Sequence, residues 1–206
     1  MIRTFLAVEL DGVLRGSLAR LQEELKRSLQ KRTPAVRLQW ARPEAMHLTL
    51  KFLGSIEERQ VSEIQEAVRL ALHGRRPLTL VAGGVGVFPD VRAPRVLWLG
   101  LSEESGSENA LSPRQDIREL AAAVDQALGL LGFPVEARPF QPHLTLARIK
   151  ERSREVGHAL GELGILHTTS PLGRLDVRAV ALMKSELTPS GSVYTRLWEE
   201  PLDPGN

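Results

Sequence analysis

Two histidine–threonine pairs at matched positions are the residues of this sequence best suited to chemistry. The segment RPEAMHLTL recurs later in the chain as RPFQPHLTL, so Arg-Pro-x-x-x-His-Leu-Thr-Leu occurs twice. Residues two apart in a β-strand point to the same side. His47 and Thr49 therefore share one face, as do His143 and Thr145, while the intervening leucines anchor the opposite face in the core.

Two imidazoles and two hydroxyls suit in-line displacement at phosphorus. Histidine titrates near neutral pH, so one imidazole can take a proton from water while the other protonates the leaving oxygen. Threonine hydroxyls are poor nucleophiles without an activating base, but they donate hydrogen bonds to charged non-bridging oxygens. A single His-x-Thr is commonly just a polar strand face. Two copies at matched places in a duplicated fold predict catalysis across a cleft.

Metal and covalent chemistry fit this sequence poorly. It has no cysteine, which excludes disulfides, thiolate zinc sites and a cysteine nucleophile. It contains neither an H-E-x-x-H nor a G-x-S-x-G motif, and two histidines alone leave a zinc shell incomplete. The sequence therefore predicts an enzyme that needs no metal and no other cofactor.

The composition is that of a folded domain. The chain has 206 residues, 42% of them hydrophobic and 25% charged, and a net charge of +2 excludes a large basic tail. No run approaches the roughly 20 apolar residues of a membrane helix. The opening stretch MIRTFLAVEL is too short for a signal sequence and is followed closely by acidic residues. We expect no membrane anchor and a cytoplasmic location.

The elements that must position the two pairs follow from hydrophobic periodicity and breaker residues. A helix should begin at the cap Asp11 and end near Thr33, and Ser55 should cap the second helix. Each half of the chain then has the order strand, helix, histidine strand, helix, strands. The predicted strands are 2–9, 36–40, 46–53, 78–88, 95–101, 142–149, 172–186 and 193–198, and the later helices 57–73, 115–131 and 153–163.

This order predicts an α+β fold in which residues 1–206 form one bilobal domain. Two antiparallel sheets should flank a central cleft, with the helices packed outside. The pseudo-repeat halves are about 1–101 and 102–206, joined by a polar, turn-rich loop at 102–114. A pseudo-twofold axis would bring the two pairs face to face, and lobes that already supply this symmetry favour a monomer.

Four segments resemble the 2H phosphoesterase superfamily: HLTLKFLG, RPFQPHLTLAR, RVLWLGL and SELTPSGSVYT. They look most like the bacterial and archaeal RNA 2′,3′-cyclic phosphodiesterases, also called 2′-5′ RNA ligases or LigT-like proteins. The similarity spans nearly the whole chain, from FLAVEL to VYT. It implies a bilobal α+β fold and metal-independent hydrolysis of 2′,3′-cyclic phosphate ends of RNA or nucleotides to 2′-phosphates. It also implies 2′-5′ joining of RNA ends by the same chemistry in reverse.

The resemblance implies roles for the four motif residues. His47 and His143 would be the catalytic pair, and Thr49 and Thr145 would bind the phosphate. We predict that His47 is the proton donor to the 3′ leaving oxygen and His143 the proton acceptor from water. The near-symmetry of the two motifs leaves the reverse assignment open.

Three further residues are implied to bind substrate. Phe52 and Arg148 each follow a motif histidine by five residues. The resemblance implies that Phe52 stacks on the base of the substrate and that Arg148 lies near its phosphate or ribose. Tyr194, in the VYT segment, would line the cleft. Strict alternation puts Phe52 and Arg148 on the leucine face, so a bulge or strand end must turn them toward the site. Otherwise Phe52 and Tyr194 belong to the core and Arg148 to a solvated surface.

Other cations suggest a basic rim. Lys51, Lys150, Arg152 and Arg154 could together attract RNA, although each alone reads as a solvated surface residue. Two alternatives to the predicted activity also stay open. The same four motif residues would serve another phosphodiester, such as a 2′-5′ oligonucleotide or ADP-ribose cyclic phosphate. The chain could instead be a non-catalytic module that binds RNA ends, although such a module needs no paired proton-transfer groups.

Overall fold

The computed structural model describes residues 1–103, 116–167, 170–189 and 191–203. Most of the predicted loop at 102–114 lies outside the described residues. The strands are β1 (Ile2–Glu9), β2 (Gln39–Trp40), β3 (His47–Ile56), β4 (Leu78–Phe88), β5 (Val96–Glu103), β6 (His143–Arg148), β7 (Pro171–Val177), β8 (Ala179–Thr188) and β9 (Gly191–Pro201). The helices are α1 (Gly12–Arg32), α2 (Gln60–Leu72), α3 (Ile117–Gly129) and α4 (Ser153–Glu162), with short 3₁₀ turns at Pro43–Ala45 and Ile165–His167.

The first helix begins and ends where the sequence predicts. The carboxylate of Asp11 accepts a hydrogen bond from the backbone N–H of Leu14 at 2.7 Å, which satisfies one of the free donors of the first turn. The helix stops at Thr33, one residue before Pro34, because a proline disfavours helical geometry at the preceding residue. Its leucines recur at helical spacing and are buried.

The strand β3 is longer than predicted. Gly54 and Ser55 do not end it, because residues 54–56 continue to pair with the first residues of β1. Helix α2 therefore begins only at Gln60, and its N-terminus has no side-chain cap, so the prediction that Ser55 caps it is wrong. The predicted strand region 172–186 is likewise two strands, β7 and β8. They lie near opposite ends of the strand order.

The α+β class is confirmed, but the two predicted sheets are one. The nine strands form a single sheet in the order β7-β4-β5-β6-β3-β1-β8-β9, with β2 paired to β6. Its centre is the junction of the two histidine strands, which are antiparallel and joined at the pair Leu48–Leu144. A narrow junction of this kind joins two lobes without separating them into independent sheets.

On either side of the β6–β3 junction, the strand order contains strands from both halves of the sequence. One side contains β4 and β5 together with β6 and β7, and the other contains β1 and β3 together with β8 and β9. The two sides therefore do not correspond to residues 1–101 and 102–206, and β5 extends across that boundary. The division of the sequence into these repeat halves stays a prediction.

The two faces of the sheet differ in what covers them. One face carries the buried leucines of the strands and packs against all four helices in a continuous core. The other face holds a small second cluster of buried residues, Phe5, Ala7, Ala181 and Met183, with Tyr194 against it. No helix of the described residues is long and apolar enough to cross a membrane.

Candidate active site

The two His–Thr pairs meet at the centre of the sheet. Leu48 and Leu144 are directly opposed and fully buried in the main core. The antiparallel register on either side of this pair puts His47 beside Thr145 and Thr49 beside His143, all on the face away from the helices. Each histidine thus neighbours the threonine of the other motif.

Both imidazoles are held in the same orientation. The Nδ1 atom of His47 lies 2.9 Å from the carbonyl oxygen of Ala45, and that of His143 lies 2.7 Å from the carbonyl oxygen of Gln141. A carbonyl oxygen can only accept, so Nδ1 carries the proton in each ring. Each Nε2 is therefore left as the atom that can take or give a proton in the cleft.

Two aromatic rings surround His47. Phe5 stacks on the imidazole with ring centroids 4.5 Å apart, and Tyr194 meets it edge-on at 5.2 Å. Phe5 and Tyr194 also contact each other edge-on at 5.0 Å. Tyr194 therefore lies beside His47 as a half-buried side chain.

A second aromatic pair surrounds His143. Phe88 meets this imidazole edge-on at 5.1 Å, and Trp98 lies 6.2 Å away at a tilt. The ring of Trp98 lies against the backbone of Gly86, where any Cβ atom would overlap it. Gly86 therefore marks a close approach of the β4 backbone to an aromatic ring.

Burial lowers the pKa of His47 below its ordinary value, because a desolvated imidazolium is disfavoured. The hydrogen bond to the Ala45 carbonyl and the negative charge of Glu9 act in the opposite direction. Glu9 is the residue directly opposite His47 on β1, and its carboxylate accepts a hydrogen bond from Arg196 at 2.9 Å. Burial thus disfavours a positive charge on His47, and Glu9 partly offsets that effect.

Thr49 and Thr145 present their side chains on the same open face. Both are half-buried, and neither hydroxyl is hydrogen-bonded to any other described residue. A hydroxyl without a protein partner can donate to a bound anion without first breaking a bond. The two threonines are thus available to oxygens held between the histidines.

A β-bulge turns Phe52 toward the site. The pairing of β3 with β1 skips Leu50, so Thr49 faces Ala7 while Lys51 faces Leu6 and Phe52 faces Phe5. Because Phe5 stacks on His47, its partner Phe52 lies on the histidine face. The Phe52 ring is 6.0 Å from that of Phe5 and 64% exposed, which excludes a core role.

An equivalent bulge turns Arg148. The pairing of β6 with β5 skips Leu146, which follows His143 by three residues as Leu50 follows His47. Arg148 faces Val96, two residues before Trp98 on β5, and so shares the face of Trp98 and His143. Its side chain is exposed. The repeated motif therefore includes a matched bulge that redirects the fifth residue after each histidine.

The same bulge withdraws Lys51 from the predicted basic rim. Lys51 points into the helix side of the sheet, where its side chain is 8% exposed. Its ammonium forms an ion pair with Asp125 of α3 and donates to the carbonyl oxygen of Pro134 at 2.7 Å. The prediction that Lys51 faces solvent beside the cleft is wrong, because alternation without the bulge assigned it to the other face.

Several residues at the site were not predicted. Phe5, Phe88 and Trp98 contact the imidazoles, and Glu9 faces His47. The alternation of Trp98 with buried leucines in β5 does indicate that it lies on the face away from the core. Which histidine it meets depends on the strand pairing, which the sequence alone does not specify.

Comparison with known proteins agrees with this geometry. Residues 8–98 and 111–194 match the model of the LigT like phosphoesterase family. An RNA 2′,3′-cyclic phosphodiesterase of Methanothermobacter thermautotrophicus is 36% identical over 196 residues, covering 94% of this chain and 95% of that protein. One of Archaeoglobus fulgidus is 31% identical over 196 residues, covering 95% of this chain and 98% of that protein.

A solved structure has the same fold. The crystal structure of TT0787 of Thermus thermophilus superposes with a TM-score of 0.70 at 26% identity, covering 98% of each chain. Sequence relatives and structure thus agree over almost the entire length. This chain belongs to the LigT-like phosphoesterase family.

Proposed function

We propose that this protein hydrolyses the 2′,3′-cyclic phosphate ends of RNA and nucleotides to 2′-phosphates. One observation chiefly supports the proposal: two histidines with Nδ1 bonded to a backbone carbonyl share one sheet face with two threonine hydroxyls. The relatives named RNA 2′,3′-cyclic phosphodiesterases support the same substrate class.

The proposed reaction uses each imidazole once. The Nε2 atom of His143 accepts a proton from water, whose oxygen attacks the phosphorus. The bond from phosphorus to the 3′ oxygen breaks, and Nε2–H of His47 protonates that oxygen, leaving a 2′-phosphate and a 3′-hydroxyl. Thr49 and Thr145 donate to the non-bridging oxygens, on which negative charge must be stabilised. A 5′-hydroxyl in place of water would form a 2′-5′ bond.

The donor role proposed for His47 depends on the substrate. Because burial lowers the pKa of His47 in the free protein, its imidazole favours the neutral form until an anion binds. A negative charge within about 4–6 Å favours the protonated form. Binding of the cyclic phosphate would thus raise the pKa of His47 and favour the protonated imidazole, which then donates its proton to the 3′ oxygen.

The test is hydrolysis of 2′,3′-cyclic nucleotides by the unmodified protein and by His47→Ala and His143→Ala, with and without EDTA. We expect EDTA-resistant formation of the 2′-phosphate, read by chromatography, and a loss of about 10²–10⁴-fold in each variant. Absence of turnover, or turnover that survives both substitutions, contradicts the two-histidine mechanism for this substrate. Loss of activity in EDTA contradicts the metal-independent step.

A sulfur in place of the 3′ oxygen separates the two histidine roles. A thiolate leaving group needs no protonation, so this substrate should restore activity to His47→Ala and not to His143→Ala. Rescue of His143→Ala instead would reverse the assignment of donor and acceptor.

The proposal also includes the assembly and location of the enzyme. Both histidines and both threonines lie in one chain and one sheet, so a monomer contains the complete site. Light scattering after gel filtration should give a mass near 22.8 kDa, and twice that mass would contradict the proposal. The lack of cysteine fits a cytoplasmic location, which fractionation of cells would test.

A further inference from the structure

A group of unpaired cations lies where β5 begins and β6 ends. We define the basic surface as Arg92, Arg95, Lys150 and Arg154, all exposed. None of the four forms an ion pair with an acid among the described residues. Arg92 and Arg154 line one open cavity with residues of α4, Glu162 among them, so these two lie toward the helix-covered face. The carbonyl oxygen of Arg95 accepts from the N–H of Ile149, so the two segments adjoin.

The positive charge here exceeds that of the molecule as a whole. Residues 90–95 and 148–155 contain six basic and three acidic side chains, a net charge of +3, whereas the whole chain carries +2. One of those acids, Asp90, accepts hydrogen bonds from the backbone N–H groups of Arg92 and Ala93. Its carboxylate thus serves the turn and pairs with no guanidinium in the described structure.

Cations elsewhere on the surface are commonly neutralised. Arg69 forms two hydrogen bonds with Glu66 on α2, at 2.8 and 2.6 Å. Arg178 lies 3.1 Å from Asp176. The basic surface is therefore a place where positive charge is left for an external partner.

Arg95 and Lys150 extend the basic surface to one end of the cleft. Arg148, turned to the histidine face by its bulge, pairs with Val96, the residue after Arg95. The histidine strands are antiparallel, so the exposed ring of Phe52 lies beyond the other end of the histidine pair. Phe52 and Arg148 therefore lie at opposite ends of the histidine pair.

Arg152 adds a strained backbone to this region. It has φ of +49°, the only positive φ of a non-glycine residue in the part of the chain that the structure describes. An L residue reaches this conformation at a cost that glycine avoids. Its side chain lies 3.5 Å from the carboxylate of Glu155, so Arg152 is not counted among the unpaired cations.

We propose that the basic surface binds the phosphate backbone of an RNA strand whose cyclic phosphate end occupies the cleft. This inference rests on the proposed function, and it specifies an oligonucleotide rather than a mononucleotide as the preferred substrate. The six residues from His143 to Arg148 span about 16 Å of strand, so only nucleotides before the terminal one reach the surface. Unpaired guanidinium and ammonium groups bind phosphates without regard to base.

The first test measures direct binding of a labelled single-stranded RNA by fluorescence anisotropy. The RNA has about eight nucleotides and a 2′-phosphate end. Contacts from the four cations should make log Kd rise with log salt with a slope of about three. The variant Arg95→Glu/Lys150→Glu should bind at least tenfold more weakly and lose most of that slope. Arg59→Glu/Arg69→Glu, on and beside α2, makes the same charge change elsewhere and should bind as the unmodified protein.

The second test compares substrates of different length. A cyclic-ended octanucleotide should have a lower KM than a 2′,3′-cyclic mononucleotide. Arg95→Glu/Lys150→Glu should abolish that difference and leave the mononucleotide kinetics unchanged, because neither side chain belongs to the proposed site.

The outcomes separate this inference from the proposed function. Equal RNA binding by the two double variants, or an octanucleotide no better than a mononucleotide, overturns the basic surface as the RNA contact. Failure to hydrolyse any cyclic phosphate overturns the proposed function alone, since the binding test needs no turnover. Salt-dependent binding lost only in Arg95→Glu/Lys150→Glu supports the inference in either case.

Discussion

The two histidine strands are alike on the cleft side and different on the helix side. On the cleft side both imidazoles bond a carbonyl two residues earlier, both strands bulge at the second leucine of the motif, and both bulges redirect the fifth residue. On the helix side, β3 places the charged Lys51 where β6 places the small Ala147. The chemistry is duplicated, whereas its buried support is not.

The buried polar contacts behind the two histidine strands differ in kind. Behind β3, Lys51 is bound to Asp125 of α3, and the other carboxylate oxygen of Asp125 accepts from the N–H of Glu136. Behind β6, the buried amide of Gln22 on α1 donates to the carbonyl oxygens of Ala41 and Leu146, at 2.8 and 2.9 Å. One bulge is held by a charge pair and the other by a neutral amide, so each can be broken separately.

Breaking the charged support should have the largest effect. Asp125→Ala leaves the ammonium of Lys51 buried without its counter-ion, which should lower the free energy of unfolding by about 3–5 kcal/mol. The double variant Lys51→Met/Asp125→Leu removes both charges and should recover most of that loss. Urea unfolding measures both.

Removal of the exposed carboxylate of Glu66, which pairs with Arg69, is the matched control and should leave the urea midpoint nearly unchanged. If Asp125→Ala is as mild as this control, the Lys51 pair does not support the first histidine strand. Failure of the double variant to recover stability would instead assign the loss to the Glu136 contact.

The sequence predicts the parts of this site that depend on local periodicity. Thr49 shares a face with His47 because both precede the bulge, where the two-residue period of a strand holds. Helix α1 begins at Asp11 because capping is a local hydrogen bond. The doubled motif likewise indicates a doubled site without any knowledge of the fold.

The remainder of the site depends on which strand lies opposite. Lys51 and Phe52 exchange faces at a bulge that exists only in the pairing of β3 with β1, so periodicity assigns both incorrectly. The crossing of β8 to the side of β1 is also non-local, and it brings the β8–β9 hairpin, with Tyr194, next to His47. No pattern within one segment specifies such contacts between distant parts of the chain.

Breaking the neutral support should have a smaller effect. Gln22→Leu leaves the half-buried Ala41 carbonyl without that donor, while the Leu146 carbonyl still accepts from the N–H of Ala41. We expect a loss of about 1–3 kcal/mol in urea unfolding and a higher KM, because a relaxed bulge displaces Arg148. Gln30→Leu, which removes an exposed glutamine-to-carbonyl bond on the same helix, should change neither. An unchanged KM would limit Gln22 to a structural role.

The two redirected residues should affect binding differently. Phe52→Ala removes an exposed ring and should raise KM for every nucleotide base, since stacking is worth about 1–3 kcal/mol and tolerates any base. The urea midpoint of this variant should not fall. A lower midpoint with an unchanged KM would show that Phe52 contributes to packing and not to substrate binding. Arg148→Gln should also raise KM, with a salt dependence that Phe52→Ala lacks.

The smallest expected change concerns the charge of His47 itself. Glu9 raises the pKa of His47 against the larger effect of burial, so Glu9→Gln should move that pKa further down. The loss of Glu9 also leaves Arg196 held only by Glu199, and its positive charge acts in the same direction. Ring resonances of His47 followed by NMR across neutral pH measure the shift directly. Glu199→Gln, which keeps Glu9 opposite His47, should move the resonances less, and an upward shift in Glu9→Gln would exclude Glu9 as the charge that opposes burial.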